Sequence, residues 1–349
     1  MPLFLNLLFA KSTAMKKYSV AILLLLLLVV SYRKPDHFPS KHFTIQALAP
    51  GVWAVINNDA YGHAICNAGI IDLGNKTVVF DPLMNIDAAN DLKRAATELT
   101  KRPVTIVINS HYHNDHIRGN QVFVPGASII STEWTRNQMS ISEPEEIAWE
   151  KQNAGKYLAE AKQKLKTASG MEKEELPMWI GYYEGMLLSH PVLKTTIPDL
   201  TFSDSLWIHG SSRSIKLLEC KNGHTGSDVI LLLPKEGIAF MGDLFFVNRH
   251  TWLADGSPQS LQQHLQKLEE DKTYTHYVPG HGPVGGKKEI HLLINYIRDL
   301  QQLVNDGIQK NQPDSVIIKT AIPDAYKDWW YGQFYKPNLK FLCKELRKK

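Results

Sequence analysis

The chain has 349 residues, of which 44% are hydrophobic and 21% are charged, and its formal net charge is +4. This length can bury a sizeable core in one large domain or two small ones. Without Lys11, Lys16 and Lys17, which are the only charges before residue 31, 36 basic residues face 35 acidic ones, so the body of the chain offers no general attraction to nucleic acid.

The N-terminal segment predicts export. Lys16 and Lys17 precede an uninterrupted apolar run, residues 20–30, as in a secretory signal. The run is shorter than the about 20 residues of a spanning helix, but no small-x-small cleavage site follows it. We therefore expect residues 1–34 to be either a cleaved signal or a short anchor held by residues 18–32. The protein is expected to be periplasmic or extracellular.

Short runs of β-branched and aromatic residues predict strands early in the chain, at 42–49, 51–57, 66–74 and 76–82. A helical repeat of apolar residues follows over 88–99, and 104–109 is typical of a buried strand. The charged segment 142–190 predicts amphipathic helices inserted between β regions.

Strands are predicted again at 205–210, 213–220, 228–234 and 237–243, and helices follow. The aromatic-rich tail, 312–349, is expected to pack as helices over the body, because so many large apolar side chains are unfavourable in water. Each half of the chain is thus β-rich and then helical, which favours two sheets face to face with helices outside.

Cys66, Cys220 and Cys343 are far apart and form no CxxC pair. They are typical of small buried apolar residues, although a thiolate ligand or one disulfide also fits. The fold is not expected to depend on a disulfide framework.

The stretch INSHYHNDHIRGN, residues 108–120, contains four metal-ligand side chains within six positions: His111, His113, Asp115 and His116. Imidazole and carboxylate groups suit zinc, and also iron or manganese. His111 and His113 point the same way in an extended segment, while the other two follow after a turn and reach a second point nearby. One tetrahedral site would not need all four, whereas two metals in one cleft would.

Three more ligand-type side chains follow predicted strands, each directly after a glycine: His224, Asp243 and His281. Glycine permits the tight turn and close backbone approach that a crowded metal site needs. Each residue alone is more typical of a surface or turn position. Together with the motif at 111–116, they favour a metal centre.

The motif His-x-His-x-Asp-His at 111–116, with His224 in GHTGSD, Asp243 in MGD and His281 in PGHG, resembles the metallo-β-lactamase fold superfamily. The resemblance covers about residues 43–304. It implies an α+β fold, a four-layer αβ/βα sandwich with metals at one edge between the sheets, in a domain spanning 42–311. The helical insert, about 142–190, and the helical tail, 312–349, are additions to it.

The resemblance also implies the ligand set. His111, His113 and His224 would hold one metal; Asp115, His116 and His281 would hold the second, and Asp243 would bridge them. Asp81 matches a family position beside the site and is expected to orient a ligand histidine. The cofactors implied are two divalent ions, zinc first, with iron and manganese as alternatives.

The implied function is an exported dinuclear hydrolase that uses a metal-bridged hydroxide on a small molecule, with Asp115 as ligand and catalytic residue. The substrate would be an ester, thioester, lactone or lactam. Asp243 stands where the best-known zinc β-lactamases have cysteine, which counts against lactams. The alternatives are a β-lactamase proper, an iron-containing redox member of the fold, and a membrane-held metal-binding protein without activity.

Four residues on loops that flank the cleft in this fold are expected to contact the substrate: Tyr61, His63, Arg249 and His250. The two basic residues after Asp243 would suit an anionic group. An ordinary surface role fits each of the four equally well.

Overall fold

The computed structural model describes residues 38–348. The segment predicted as a signal or anchor, 1–34, lies outside the described residues. From Pro39 onward the chain forms one compact unit. No helix within residues 38–348 is both long and apolar enough to cross a bilayer.

The first of two sheets has seven strands, each beside the next one in the chain: β1 (Phe43–Ala49), β2 (Val52–Asn57), β3 (Ala68–Asp72), β4 (Thr77–Phe80), β5 (Val104–Ile108), β6 (Ser128–Thr132) and β7 (Leu200–Phe202). Neighbours are antiparallel from β1 to β4 and parallel from β4 to β7. Because parallel neighbours require a crossover, helical segments connect these later strands.

The second sheet has five strands: β8 (Ser205–His209), β9 (Ser214–Lys221), β10 (Ser227–Leu233), β11 (Ile238–Phe240) and β12 (His276–Val278). Their order in space is β12-β11-β10-β9-β8, with only the β11–β12 pair parallel. The two sheets face each other across an apolar core that includes Val78 and Leu231. The rings of Phe80 and Phe240 lie 6.0 Å apart across this core.

The α-helices within residues 38–348 are α1 (Ile86–Thr100), α2 (Asn114–Ile117), α3 (Asn120–Phe123), α4 (Glu133–Leu165), α5 (Gly170–Ser189), α6 (Pro258–Glu270), α7 (Lys287–Gln309), α8 (Asp314–Ile317) and α9 (Tyr335–Leu346). Helix α1 packs on the first sheet, and α6, α7 and α9 share a core with the outer face of the second. This arrangement confirms the predicted four-layer αβ/βα sandwich.

The helical insert consists of α4 and α5, which pack against each other. It begins at Glu133, earlier than the predicted 142, because Thr132 caps α4 directly at the end of β6. The Thr132 Oγ1 accepts a hydrogen bond from the Thr135 amide at 3.1 Å. The residues just after this cap carry no clear apolar stripe, so the sequence pattern did not mark the helix start.

The C-terminal tail is less helical than predicted. Only α9 is longer than one turn; before it come α8 and two short 3₁₀ turns at 324–326 and 332–334. Tyr326, Trp329 and Leu339 are buried in the same core as α7. Aromatic contacts with Tyr296, such as the 5.1 Å ring separation from Trp329, hold the irregular part in place.

Candidate metal centre

The predicted ligands converge at one edge of the sandwich. His111 and Asp243 follow the carboxyl ends of β5 and β11, and His281 follows β12. His224 lies in the turn that joins β9 to β10. This edge is where an open sheet presents its strand ends to a ligand. Gly280 allows the close approach, because a Cβ there would lie 1.9 Å from Asp243 Oδ1.

One group of donor atoms belongs to His111, His113, His224 and Asp243, all within 4.8 Å of one another. The His224 Nε2 lies 3.1 Å from His113 Nδ1 and 3.5 Å from Asp243 Oδ2. The His111 Nε2 lies 3.7 Å from the same carboxylate oxygen. Two rings from the loop after β5 and one from the β9–β10 turn thus lie around one carboxylate.

A second group joins His116, Asp243 and His281, again within 4.8 Å. The Asp115 Oδ2 lies 3.4 Å from the Nε2 atoms of both histidines. Asp243 offers Oδ1 to His116 Nε2 at 3.1 Å and Oδ2 to His281 Nε2 at 3.3 Å. All seven predicted ligands are therefore together, and Asp243 belongs to both groups.

The ring nitrogens that face away from the cluster have partners. Asp81 lies where the sequence predicted, with its Oδ2 2.8 Å from His116 Nδ1. The backbone carbonyls of Trp252 and Ile65 lie 3.1 Å from the Nδ1 atoms of His224 and His281. A carbonyl can only accept, so the Nδ1 atoms donate, and the Nε2 atoms of both rings point to the cluster.

Asp255 was not found from the sequence. Its Oδ2 lies 3.1 Å from His113 Nε2 and accepts from Trp252 Nε1 at 2.8 Å. Burial alone would lower the pKa of His113, but Asp255 raises it above the usual value. An aspartate in the loop sequence TWLADGS resembles any turn residue, so only the fold could identify this role.

The electrostatics and bonding of the cluster fit bound cations. Burial lowers the pKa of His224 to about 4, so its ring is neutral, as a metal ligand must be. Burial alone would also lower the pKa of His116, but the acidic groups around it, Cys66, Asp243 and Asp115, hold it well above the usual value, so an ion bound there would displace a proton. Burial alone would raise the pKa of Asp243, but His281 and His116 hold it well below the usual value. Within the described residues, the buried His111 Nε2 has no hydrogen-bond partner. Such an unsatisfied buried atom needs an explanation, and a metal ion supplies one.

Cys66 forms a third donor group with Asp115 and His116, whose ligand atoms lie within 4.8 Å of one another. Its Sγ donates to the Asp115 carbonyl oxygen at 2.9 Å. Burial raises the pKa of Cys66 to about 12, so the group remains a thiol that supports the Asp115 backbone. All three cysteines, Cys66, Cys220 and Cys343, are buried and free, so the structure contains none of the disulfides that the sequence left open.

The structure does not bring the predicted substrate contacts Tyr61 and His63 into the cleft lining. Their rings stack on each other at 4.0 Å, outside the cleft, and the backbone of their loop packs under the insert helix α5. A Cβ at Gly181 would lie 1.8 Å from the Tyr61 carbonyl oxygen. The insert thus covers the loop that was expected to overhang the metals.

Arg249 and His250 also lie outside the cleft lining. Arg249 is buried and donates to Asp59 Oδ2 at 2.5 Å and to the Val247 carbonyl at 3.1 Å. His250 is fully buried, with its Nδ1 2.9 Å from the Tyr296 hydroxyl. Both side chains are therefore held inside the protein, away from the residues that line the cleft.

A cleft of about 610 Å³, including its open mouth, lies over the donor cluster. Its floor contains His113, Asp115, Asp243 and other ligand residues. The remaining lining residues come from several elements: Ile65, Asn114, Glu146, Trp179, Tyr182, Phe246, Trp252, Tyr331 and Phe334. Glu146 from α4 and Trp179 and Tyr182 from α5 are among them, so the insert forms part of the cleft wall.

Comparison with known proteins agrees with this geometry. The family described as the metallo-beta-lactamase superfamily matches residues 61–129, which include the motif at 111–116. A metallo-beta-lactamase from Pontibacter korlensis is similar in structure, with 17% identity, a TM-score of 0.51, and coverage of 73% of this chain and 99% of that one. A metallo-beta-lactamase from Erythrobacter litoralis has 16% identity, a TM-score of 0.52, and coverage of 76% and 100%. A comparison with curated proteins gave no match.

Proposed function

We propose that this chain, which matches the metallo-beta-lactamase superfamily over residues 61–129 and is similar in fold to two metallo-beta-lactamases, is a metal-dependent hydrolase that holds two divalent ions. The observation that carries the proposal is the convergence of seven donor side chains: two groups share Asp243, and Asp115 lies 3.4 Å from both histidines of the second. Its substrate is a small molecule with a carbonyl-type bond in an ester, thioester, lactone or lactam.

The donor chemistry supports zinc first. His111, His113 and His224 would hold one ion, and His116, His281 and Asp115 the other, with Asp243 shared. Three imidazoles at one site are typical of zinc, while the carboxylates also admit iron or manganese. When bound, two such ions lower the pKa of a water molecule and polarise a carbonyl.

Residues of the chain would orient the reactants. Asp115 lines the cleft with its carboxylate partly exposed, so it can accept a hydrogen bond from an incoming water and orient it. Phe246 and Ile65 border the floor and exclude bulk water from the reacting bond. Neither a serine nor a cysteine lines the cleft among the described residues, so we infer that water is the nucleophile.

The proposal is tested by metal analysis and a hydrolysis panel. Protein loaded with zinc should contain close to two ions per chain and cleave at least one of a chromogenic cephalosporin, a thioester, a lactone and a neutral ester. Asp243→Asn should lose metal and activity together, because both groups depend on this carboxylate. Asp204→Asn, at a site whose side chain is 83% exposed, is the matched control.

Three results would contradict the proposal. One ion or none per chain would remove the dinuclear centre, and full metal content without cleavage of any substrate would favour a binding protein. Visible iron absorbance with oxygen uptake would favour a redox member of the fold.

We further propose export, with the N-terminal segment either cleaved or retained as a membrane attachment. The support is the sequence pattern of Lys16 and Lys17 before the apolar run 20–30. Cell fractionation with N-terminal sequencing of the mature protein distinguishes the two forms. Recovery in the cytoplasm with an intact N-terminus would contradict export.

A further inference from the structure

We propose that the cleft selects substrates that carry an aromatic or bulky apolar group and no negative charge, with Glu146 disfavouring anions and favouring cations. This inference rests on the proposed function, because it names the substrate class of the same site. It is carried by the wall of the cleft that the helical insert and the C-terminal tail build beside the metal centre.

The wall is aromatic and partly open to solvent. Trp179 and Tyr182 come from α5, Tyr331 and Phe334 come from the tail, and Trp252 from the loop after Asp243. The ring centroids of Trp179 and Tyr331 lie 5.3 Å apart, and those of Trp252 and Phe334 5.4 Å apart. Rings held by such mutual contacts form a rigid apolar surface, on which a flat or bulky apolar group gains contact without reordering the site.

Glu146 is the charged residue of the wall. Its side chain is 40% exposed, and its Oε1 accepts from Asn114 Nδ2 at 2.9 Å. Asn114 Nδ2 also lies 3.3 Å from the Tyr182 hydroxyl, so one amide group contacts both the Glu146 carboxylate and the aromatic wall. A substrate group on the aromatic surface therefore lies beside the carboxylate.

The charge of Glu146 is not neutralised by its basic neighbour. Arg118 lies 3.9 Å away, but its Nε and Nη2 donate to Glu143 Oε1 at 2.9 and 2.8 Å, and its Nη1 lies 2.8 Å from Glu150 Oε2. One guanidinium thus serves three carboxylates. Burial raises the pKa of Glu146 to about 7, so its partly exposed carboxylate makes the wall negative at mildly alkaline pH.

Lysine and arginine are both missing from the cleft lining among residues 38–348. Arg249, the nearest sequence candidate for an anion contact, is buried and paired with Asp59. An anionic group distant from the scissile bond would meet Glu146 without a side-chain cation to offset it. A cationic group would instead meet aromatic rings and a carboxylate, and both attract it.

The test uses three phenyl acetates that differ only in the para substituent: trimethylammoniomethyl, hydroxymethyl or sulfonatomethyl. They share the same acetyl ester and ring, and each kcat/KM is divided by the hydroxide-catalysed rate of the same ester, because the substituent also changes the phenolate leaving group. For the zinc-loaded full chain, at mildly alkaline pH and low salt, we expect kcat/KM to fall in the order cation, neutral, anion. A unit charge a few ångströms away in a partly wet site predicts about tenfold between the extremes.

Glu146→Gln is expected to reduce this cation-to-anion ratio several-fold. Glu145→Gln is the matched control, because it removes the same charge from the next, exposed position of α4 and should leave the ratio unchanged. A native ratio near one, a preference for the anion, or an equal response of the two variants would overturn the inference.

A binding measurement separates this inference from the proposed function. Benzyltrimethylammonium, benzyl alcohol and benzylsulfonate are titrated into the same zinc-loaded protein, with tryptophan fluorescence as the readout because Trp179 and Trp252 line the cleft. Affinities in the same order, with a smaller cation-to-anion ratio in Glu146→Gln, would support the inference even if no ester were cleaved. Failure of every hydrolysis with the binding order intact would overturn the proposed function alone. Equal affinities would overturn the inference.

Discussion

The Asp81 Oδ2 lies 2.8 Å from His116 Nδ1, and both side chains are buried. The other oxygen of Asp81 accepts from the Ser110 amide at 2.7 Å, so the carboxylate connects a ligand of the second group to the backbone before His111. Asp81 itself has a positive φ of 55°, which a non-glycine residue adopts only when its surroundings hold it there. The pair therefore positions the ring that faces Asp243.

Replacing Asp81 by asparagine should weaken zinc binding at the second group by about 10–100-fold, because the amide cannot hold the His116 ring as strongly. Zinc affinity is measured by competition with a chromophoric chelator. Asp324→Asn, whose side chain is 97% exposed, serves as control. Equal affinity in Asp81→Asn and native protein would contradict the positioning role.

Asp255→Asn should lower the metal affinity of the first group and leave that of the second unchanged. In the described residues, Asp255 contacts His113 and no ligand of the second group. We expect about a tenfold loss at one of two sites. Cobalt substitution followed by stepwise titration resolves the two binding steps. A loss of equal size at both steps would show that Asp255 acts on the whole loop rather than on one histidine.

Arg118→Met should destabilise the protein by about 3–5 kcal/mol, because it leaves Glu143 and Glu150 buried without their cation. Urea unfolding of the metal-loaded protein measures the free energy of unfolding. Lys156→Ala removes an exposed partner of Glu160 at 3.8 Å and should cost less than about 1 kcal/mol. Similar losses in both variants would contradict the importance of the buried network.

His250 should make stability depend on pH. Burial lowers its pKa from 6.5 to about 4, so between these values the unfolded chain binds a proton that the folded protein does not. The contribution of neutral His250 to the free energy of unfolding is complete above about pH 6.5. It falls by up to roughly 3 kcal/mol as the pH is lowered to about 4.

His250→Gln should flatten the fall in unfolding free energy over this pH range relative to the native protein. Unfolding curves of both proteins at matched pH values measure the difference, which cancels the contribution of the other histidines. Parallel pH profiles would contradict the assignment of this titration to His250.

The sequence by itself determined the sandwich and the candidate ligands. Alternating or continuous apolar residues predict strands, because a strand has a local period of two residues. The polar residues that follow such a run indicate where the strand ends. His111, His113, Asp115 and His116 share one loop, so their chemistry could be read from adjacent letters. His224, Asp243 and His281 could be read because each follows a strand and a glycine.

Only the tertiary structure decided what surrounds these ligands. Asp255 meets His113 across 142 positions, and Glu146 reaches the cleft from a helix whose pattern is that of an ordinary solvated surface. Tyr61 and Arg249 had plausible sequence positions, but the insert covers one and Asp59 pairs with the other. Such roles depend on how separate elements pack. Packing between distant elements leaves no periodic pattern in the sequence. The ligand set could therefore be predicted from the sequence, whereas the cleft wall could not.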